Sequence, residues 1–290
     1  MIRERVLRAI ALNREPGFHF IGNFAEVAFE EAVHLPAGPH VVDADGQANI
    51  GLVAMLADMA LAASIRARLD PAVRLATVSM SLQLTGARCA PPLEAAGEFQ
   101  GFLEAPHSRQ GLARATLRSA GTVVGFAQGA FMPFDPPPGA PPMPLPGRTR
   151  RVPEVGKLSH DEEAILERAD AITADGNTDF IGRFLGYEPR RTKSGASATM
   201  ANGAHVANRV GHVQGGLLMG FAASTARATL PASWVLSAVN AFFVSPGQGK
   251  ALRARSKVIH HGLMTAVVRT EVSGPGNRRV LEATTTHARR

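Results

Sequence analysis

Hydrophobic and polar positions fall into two matching series along this chain. Residues 50–65 are apolar almost throughout, with Asp58 as the one charge, and the stretch is bounded by Gln47 and Arg66. A membrane span needs about 20 consecutive apolar residues, so the pattern predicts a helix buried in a soluble core. A second apolar, Ala-rich segment of helical character follows Gly216. Behind each helix comes a strand-like segment, LATVSMSLQLT from Leu75 and VLSAVNAFFVS from Val235. Runs 110–117 and 122–131 are rich in small and β-branched residues, and Ser119-Ala120-Gly121 between them reads as a hairpin turn. In the later part of the chain, runs 265–272 and 280–287 are joined by SGPGNRR, a stronger hairpin signal. Each series opens with a short helix, at 4–12 and 161–172, that is expected to precede a strand.

The series match in detail. Phe20-Ile21-Gly22 recurs as Phe180-Ile181-Gly182, and Gly111-Leu112 with Ala115 and Arg118 recurs as Gly262-Leu263 with Ala266 and Arg269. The segment DADGQANIG at 43–51 lines up with NRVGHVQGG at 208–216. Matches in one order argue for an internal duplication. Between the halves, 133–147 reads PFDPPPGAPPMPLPG, which is expected to be extended and semi-rigid and to form neither helix nor central strand. The predicted organisation is a first domain over 1–132, a linker over 133–151 and a second domain over 152–290. Each domain is α+β, one apolar helix wrapped by an antiparallel sheet.

Composition narrows the function classes. The chain has 290 residues, 45% hydrophobic and 19% charged, as expected of a globular protein with a substantial core. The one cysteine, Cys89, excludes an internal disulfide and a cysteine-based zinc site. Residues 1–16 are charged and lack the apolar stretch of a signal peptide. Together these point to the cytoplasm, with no membrane association. The net charge is +7, with arginine scattered rather than in runs, and there is one Trp and one Tyr. No aromatic–basic interleaving suggests nucleic-acid binding, whereas a basic surface suits a polyanion such as coenzyme A.

The glycine loops carry a resemblance. Gly46 and Gly51 precede Leu56-Ala57-Asp58-Met59-Ala60 in the first half, and Asn208, Gly211, Gly215 and Gly216 stand in the second. This resembles the hotdog-fold acyl-CoA thioesterases of the phenylacetate-pathway type, whose pattern is Asn-x-x-Gly-x-x-His-Gly-Gly followed by Asp seven residues after the last Gly. Neither half has it complete. The first has Asp43, Asn49 and Ile50 at the Asn, His and first Gly positions; the second has Gln214 for His and Ala223 for Asp. The resemblance implies a double hotdog, two long helices each wrapped by a sheet and packed as an intrachain pseudo-dimer. It implies sites between the halves, one pairing Asn208, Gln214, Gly215 and Gly216 with Asp58, the other pairing Asp43, Asn49, Ile50 and Gly51 with Ala223. It further allows two chains to pair as a homodimer of four hotdog domains.

The chemistry follows from the residue types. Attack on a thioester carbonyl builds negative charge on oxygen, which the free N–H groups and positive dipole end of a helix N-terminus favour. The resemblance assigns the Gly215 amide to that oxygen, and such a donor is worth roughly 3–4 kcal/mol. Asp58 lies among core residues, where a carboxylate must find partners or raise its pKa; it is the candidate general base or nucleophile. Thr77 opens the following strand where the family often has Ser or Thr. Asn208 and Gln214 are candidates to hold water or assist the leaving thiolate, although Gln cannot serve as an acid. Gly216, with Arg190, Arg191 and Lys193 ahead of the loop, is assigned to binding acyl-CoA and its phosphates. Phe99, Phe102, Phe242 and Phe243 are candidates to line an acyl pocket. No metal and no cofactor is expected, because the histidines form no constellation and no nucleophile elbow, phosphate loop or dinucleotide fingerprint appears. The competing readings are a hotdog scaffold that binds an acyl-CoA or acyl carrier without hydrolysing it, and a hydratase, which needs a His–acid pair not found here.

Overall fold

The computed structural model describes residues 2–14, 19–135, 151–176, 179–208 and 210–290. The first half contains α1 (Ile2–Asn13), α2 (Phe20–Phe24), β1 (Ala28–Phe29), β2 (Val33–Leu35), α3 (Ile50–Arg66), β3 (Arg74–Leu84), β4 (Leu93–Ala105), β5 (Ser108–Ser119) and β6 (Thr122–Phe134). The second contains α4 (His160–Ala174), α5 (Phe180–Leu185), β7 (Arg190–Thr192), β8 (Gly195–Ala201), α6 (Gly215–Arg227), β9 (Trp234–Phe243), β10 (Ala251–His261), β11 (Thr265–Ser273) and β12 (Arg279–Arg289).

Among the described residues the strands form one antiparallel sheet of twelve, in the order β1-β2-β4-β5-β6-β3-β9-β12-β11-β10-β8-β7. Read inward from either edge, the order of elements is the same. The join is β3 against β9, with Ser79 opposite Phe242 and Gln83 opposite Ala238. Strand burial follows the pleat: in β11, Ala266, Val268, Thr270 and Val272 turn inward while the positions between them face outward or are half-exposed. The α3 helix is apolar all round because it is enclosed, and every residue over 51–61 is buried. It packs on β4 and β5 on one side and on α6 on the other. No described helix is long and apolar enough to cross a membrane.

Besides the strand join, helices also pack across the halves. The repeated Phe motif stacks on its own copy: the Phe24 ring lies 5.0 Å from Phe184 and 5.8 Å from Phe180, which brings α2 against α5. More consequential is the crossing of α3 and α6. A Cβ on Gly216 would overlap the Met55 backbone, and one on Gly220 would overlap the backbone of Gly51. The helices therefore touch backbone to backbone, a closer approach than side chains permit.

Two expectations need correction. The short helices do not lead straight into strands; α2 and α5 intervene, because their Phe and Ile side chains repeat at helical spacing and fill the space between the halves. The linker does not begin at Pro133, since β6 continues to Phe134, with Pro133 opposite Leu75. Pairing of β6 with β5 ends at Phe131, so beyond it the strand has an open side where a missing N–H is tolerated. Most of the proline-rich segment, 136–150, lies outside the described residues, as does the expectation that it crosses the outside of the molecule.

If the helix crossing carries the fold, Gly220→Leu must push α6 off α3. The expected loss is about 3 kcal/mol, the upper range for overpacking a core, read as a lower urea midpoint.

Candidate active site

Each apolar helix is entered through the same loop. In the first, Asp43 Oδ1 accepts from the amides of Asp45 and Gln47, both at 3.0 Å. In the second, Asn208 Oδ1 accepts from Val210 at 3.0 Å and His212 at 3.1 Å. Bridges Val42–Ala48 and Ala207–Val213 close the loops. Gly46 and Gly211 take φ of 68° and 76°, a conformation suited to glycine. These interactions place Asn208 as a loop-forming residue. No hydrogen bond joins it to the carboxylate it was expected to face, and Asp43 performs the same task in the other half.

The residue that enters the helix differs in consequence. Asn49 caps α3 by accepting from the Gly51 amide at 2.8 Å. Gln214 is one methylene longer and its Oε1 reaches the Leu217 amide at 2.9 Å. That bond fixes which way the side-chain amide is turned, because Oε1 must accept. Nε2 is thereby aimed across the helix crossing, where it donates to Asp58 Oδ2 at 2.6 Å.

Asp58 stands one turn beyond Met55 and so is carried under the first turn of α6. Its Oδ1 accepts from the Thr77 hydroxyl at 2.9 Å. Thr77 lies on β3, beside an irregularity in its pairing with β6 between Thr77 and Ser79, a break of the kind found next to active sites. Burial drives the Asp58 pKa up to about 6, against hydrogen bonds from Thr77, Gln214 and the Gly216 backbone that favour the anion. The carboxylate is thus mostly ionised at neutral pH and more basic than an exposed one.

Gly215, at the head of α6, faces this group. A Cβ there would lie 3.1 Å from Thr77 Oγ1, 3.5 Å from Asp58 Oδ2 and 3.5 Å from the Phe243 ring. In the first turn of α6, the Gln214 amide bonds to Val206 O, the Gly216 backbone serves Asp58, and the Leu217 amide bonds to Gln214. The Gly215 N–H is the remaining donor of that turn, and it finds no acceptor among the described residues. The structure therefore unites Asp58, Thr77, Gln214, Gly215 and Gly216.

Other candidates stand elsewhere. Arg190 and Arg191 are exposed on edge strand β7, Lys193 is exposed in the turn after it, and none contacts Asp58. Of the four phenylalanines, Phe243 stands at the site, whereas Phe242 is 58% exposed on the opposite face of β9. Phe99 and Phe102 stack on each other on β4, ring centroids 4.8 Å apart. The corresponding place in the other half is occupied in a way the sequence did not suggest: Gly51 is approached by Leu185 and by the buried Tyr187, while Ala223 stands where Asp58 has its counterpart. Burial pushes the Tyr187 phenol up to about 12.

No protein-family model matches the chain, and no curated protein matches its sequence. Solved structures do match in shape. A protein of unknown function with a hot dog fold from Alicyclobacillus acidocaldarius superposes with a TM-score of 0.55 at 12% identity, covering 92% of this chain and 96% of that one. The fold is the hotdog fold. The tesB protein of Mycobacterium avium subspecies paratuberculosis is similar to this hotdog chain with a TM-score of 0.55 at 11% identity, over 92% of this chain and 96% of that one. A protein from Novosphingobium aromaticivorans, provisionally named as a thioesterase, gives a TM-score of 0.58 at 13% identity, over 91% and 98%. At such identities the likeness is one of fold.

The raised Asp58 pKa has a sign for stability. The folded state holds its proton more tightly than the unfolded chain, so this group's contribution is most favourable below pH about 4 and is lost as pH rises through about 6. The unfolding free energy of wild type minus that of Asp58→Asn should fall by about 2 kcal/mol between pH 4 and pH 7, measured by urea titration at each pH. A difference that stays flat, or that rises with pH, contradicts the assignment.

Proposed function

We propose that this hotdog chain is a thioester hydrolase, built as two hotdog units in one chain and acting on an acyl-CoA at a single site made by both. The observation that carries the reading is the hydrogen bond from Gln214 of the second half to buried Asp58 of the first, at the head of α6. The loops and helix entries are duplicated, but the carboxylate and the glutamine are not. The matching position opposite α3 holds Ala223, and Ile50 replaces Gly215. Names of similar structures add support, since two of those above are called tesB and thioesterase.

On this reading the thioester carbonyl lies over Gly215, its oxygen accepting the free Gly215 N–H. Glycine is needed because a side chain would occupy the space between Thr77, Asp58 and Phe243. Asp58 removes a proton from water as the new C–O bond forms, and the positive end of α6 stabilises the oxyanion. Collapse breaks the C–S bond, and the proton held on Asp58 passes to the departing thiolate. Direct attack by the Asp58 oxygen, forming a mixed anhydride as the thiolate leaves, is the alternative route; single-turnover hydrolysis in water enriched in oxygen-18 tests for it, because label in Asp58 marks an anhydride opened at the aspartyl carbonyl.

Asp58→Asn should lower kcat by ~10²-fold or more, with little change in affinity for the thioester. Asp43→Asn should leave turnover near wild type, since Asn208 shows that an amide closes the same loop. Steady-state thiol release from a panel of short, long and aromatic acyl-CoAs tests both. A wild type that binds these thioesters and hydrolyses none is a binding protein. If Asp43→Asn abolishes activity and Asp58→Asn does not, the site belongs to the other half.

For the wild type, kcat/KM should rise with pH along a limb centred near 6, as Asp58 ionises. A profile flat from pH 5 to pH 8 excludes Asp58 as the base.

A further inference from the structure

Around their leading helices the halves differ in charge. In the first, Arg8 of α1 donates to Glu26 at 3.3 Å, and Arg5 pairs with the same carboxylate. Glu26 follows α2 in the left-handed region, at φ 55°. The matching residue after α5 is Gly186, also left-handed, at φ 80°. Arg168 of α4 is the counterpart of Arg8, and no carboxylate is there to receive it. Its guanidinium instead holds the carbonyls of Phe184 at 2.9 Å and Arg183 at 3.0 Å. Any side chain at Gly186 would overlap that guanidinium, so the exchange of Glu for Gly both removes a negative charge and keeps the space open.

That space is a groove of about 580 Å³ bounded by α4, α5 and the β7–β8 edge. Arg168, Arg183 and Arg190 border it, with Ser197 directly opposite Arg190 in the β7–β8 register and Thr199 beyond. Two carboxylates bear on it. Asp175 is taken by Arg183 at 2.5 Å, and Glu188 lies on the lining. Among the described residues neither Arg168 nor Arg190 is paired with a carboxylate. Arg191 and Lys193 are exposed on the same turn of chain. Two guanidinium groups that no carboxylate pairs, next to two hydroxyl donors and with Glu188 as the one acidic residue on the lining, match the several oxygens and charges of a phosphate or diphosphate. Tyr187, also on the lining, reaches Gly51 at the head of α3, so the groove adjoins the half-site that lacks a carboxylate.

We propose that this groove is a phosphate-binding site. Two sources fit the chemistry: the nucleotide phosphates of a thioester substrate, which rests on the hydrolase reading, and a free phosphorylated ligand, which does not.

Binding of inorganic pyrophosphate to the whole chain, measured by calorimetry at low salt, tests the site without reference to hydrolysis. Wild type should bind, and Arg190→Glu should weaken binding about tenfold or more, the worth of a charge-assisted hydrogen bond. Arg190 is exposed, so the reversal does not disturb the core. Arg255→Glu, in a second basic groove beside Lys257 and Arg269, controls for overall charge. Absence of binding in wild type overturns the proposal, as does an equal loss in both variants or no loss in Arg190→Glu. The source is then read from KM. A rise in Arg190→Glu for an acyl-CoA but not for the same acyl group on pantetheine, which has no phosphate, assigns the groove to the substrate. Pyrophosphate binding lost with KM unmoved for either assigns it to a free ligand.

Discussion

The contact on which the rest depends is the crossing of two helices at glycine. Gly216 and Gly220 of α6 meet Met55 and Gly51 of α3 with no side chain between the backbones. A Leu or Ala pair would hold the axes at the usual 8–10 Å or more, and Gln214 would then fall short of Asp58. Because the helices come closer, a carboxylate one turn past the crossing is delivered under the other helix's first turn. The same approach draws the inner strands together, so that β3 pairs with β9 and Thr77 stands beside the head of α6.

The two halves repeat one order of elements, yet the candidate site between them is not symmetric. Loop closure needs only one acceptor oxygen at Asp43 or Asn208, and carboxylate and amide both supply it. Such a position accepts either Asp or Asn without altering the helix entry. Positions that reach across the crossing have no such freedom. Asn49 satisfies the α3 entry and stops there; Gln214 satisfies the α6 entry and has a donor left over. Where no carboxylate waits opposite, at Ala223, the shorter cap is sufficient. Packing by Tyr187 and Leu185 against Gly51 then completes that side as core.

Much of this was legible in the sequence where the signal is periodic or local. The buried helix around Asp58, both hairpins and the repeat follow from spacing that no tertiary contact could disguise. The meeting of Asp58 with Gln214, Gly215 and Gly216 was expected from the resemblance, because the complementary losses leave one pairing with most of the pattern; Thr77 was expected only because the resembled family often has Ser or Thr there. What failed depends on direction. Asn208 has the residue type to serve chemistry, but its oxygen faces its own loop, which no spacing reveals. Phe242 and Phe243 are adjacent, and only the strand register says that the second faces Gly215. Pro133 extends a strand because pairing with β5 ends two residues earlier, a fact about the neighbour rather than about proline. Tyr187 gave no signal, since its meaning comes from a helix more than 120 residues away in sequence.

Gln214 stands where the resembled pattern has histidine, and an amide there bears on how the candidate site manages charge. A buried carboxylate is drawn toward its neutral form, and a cationic neighbour would pull it back below the useful range for a base. An uncharged amide holds the anion by a hydrogen bond alone. With Thr77 and the Gly216 backbone it leaves Asp58 near 6, ionised at neutral pH yet still inclined to accept a proton. Neither amide nor hydroxyl titrates in this range, so on the proposed route Asp58 is the one group of the cluster that exchanges a proton during turnover. The proton given to the leaving thiolate must then come from Asp58 itself or from solvent. A thiolate is a good leaving group with little need of a strong acid, so the proposed route does not require a histidine.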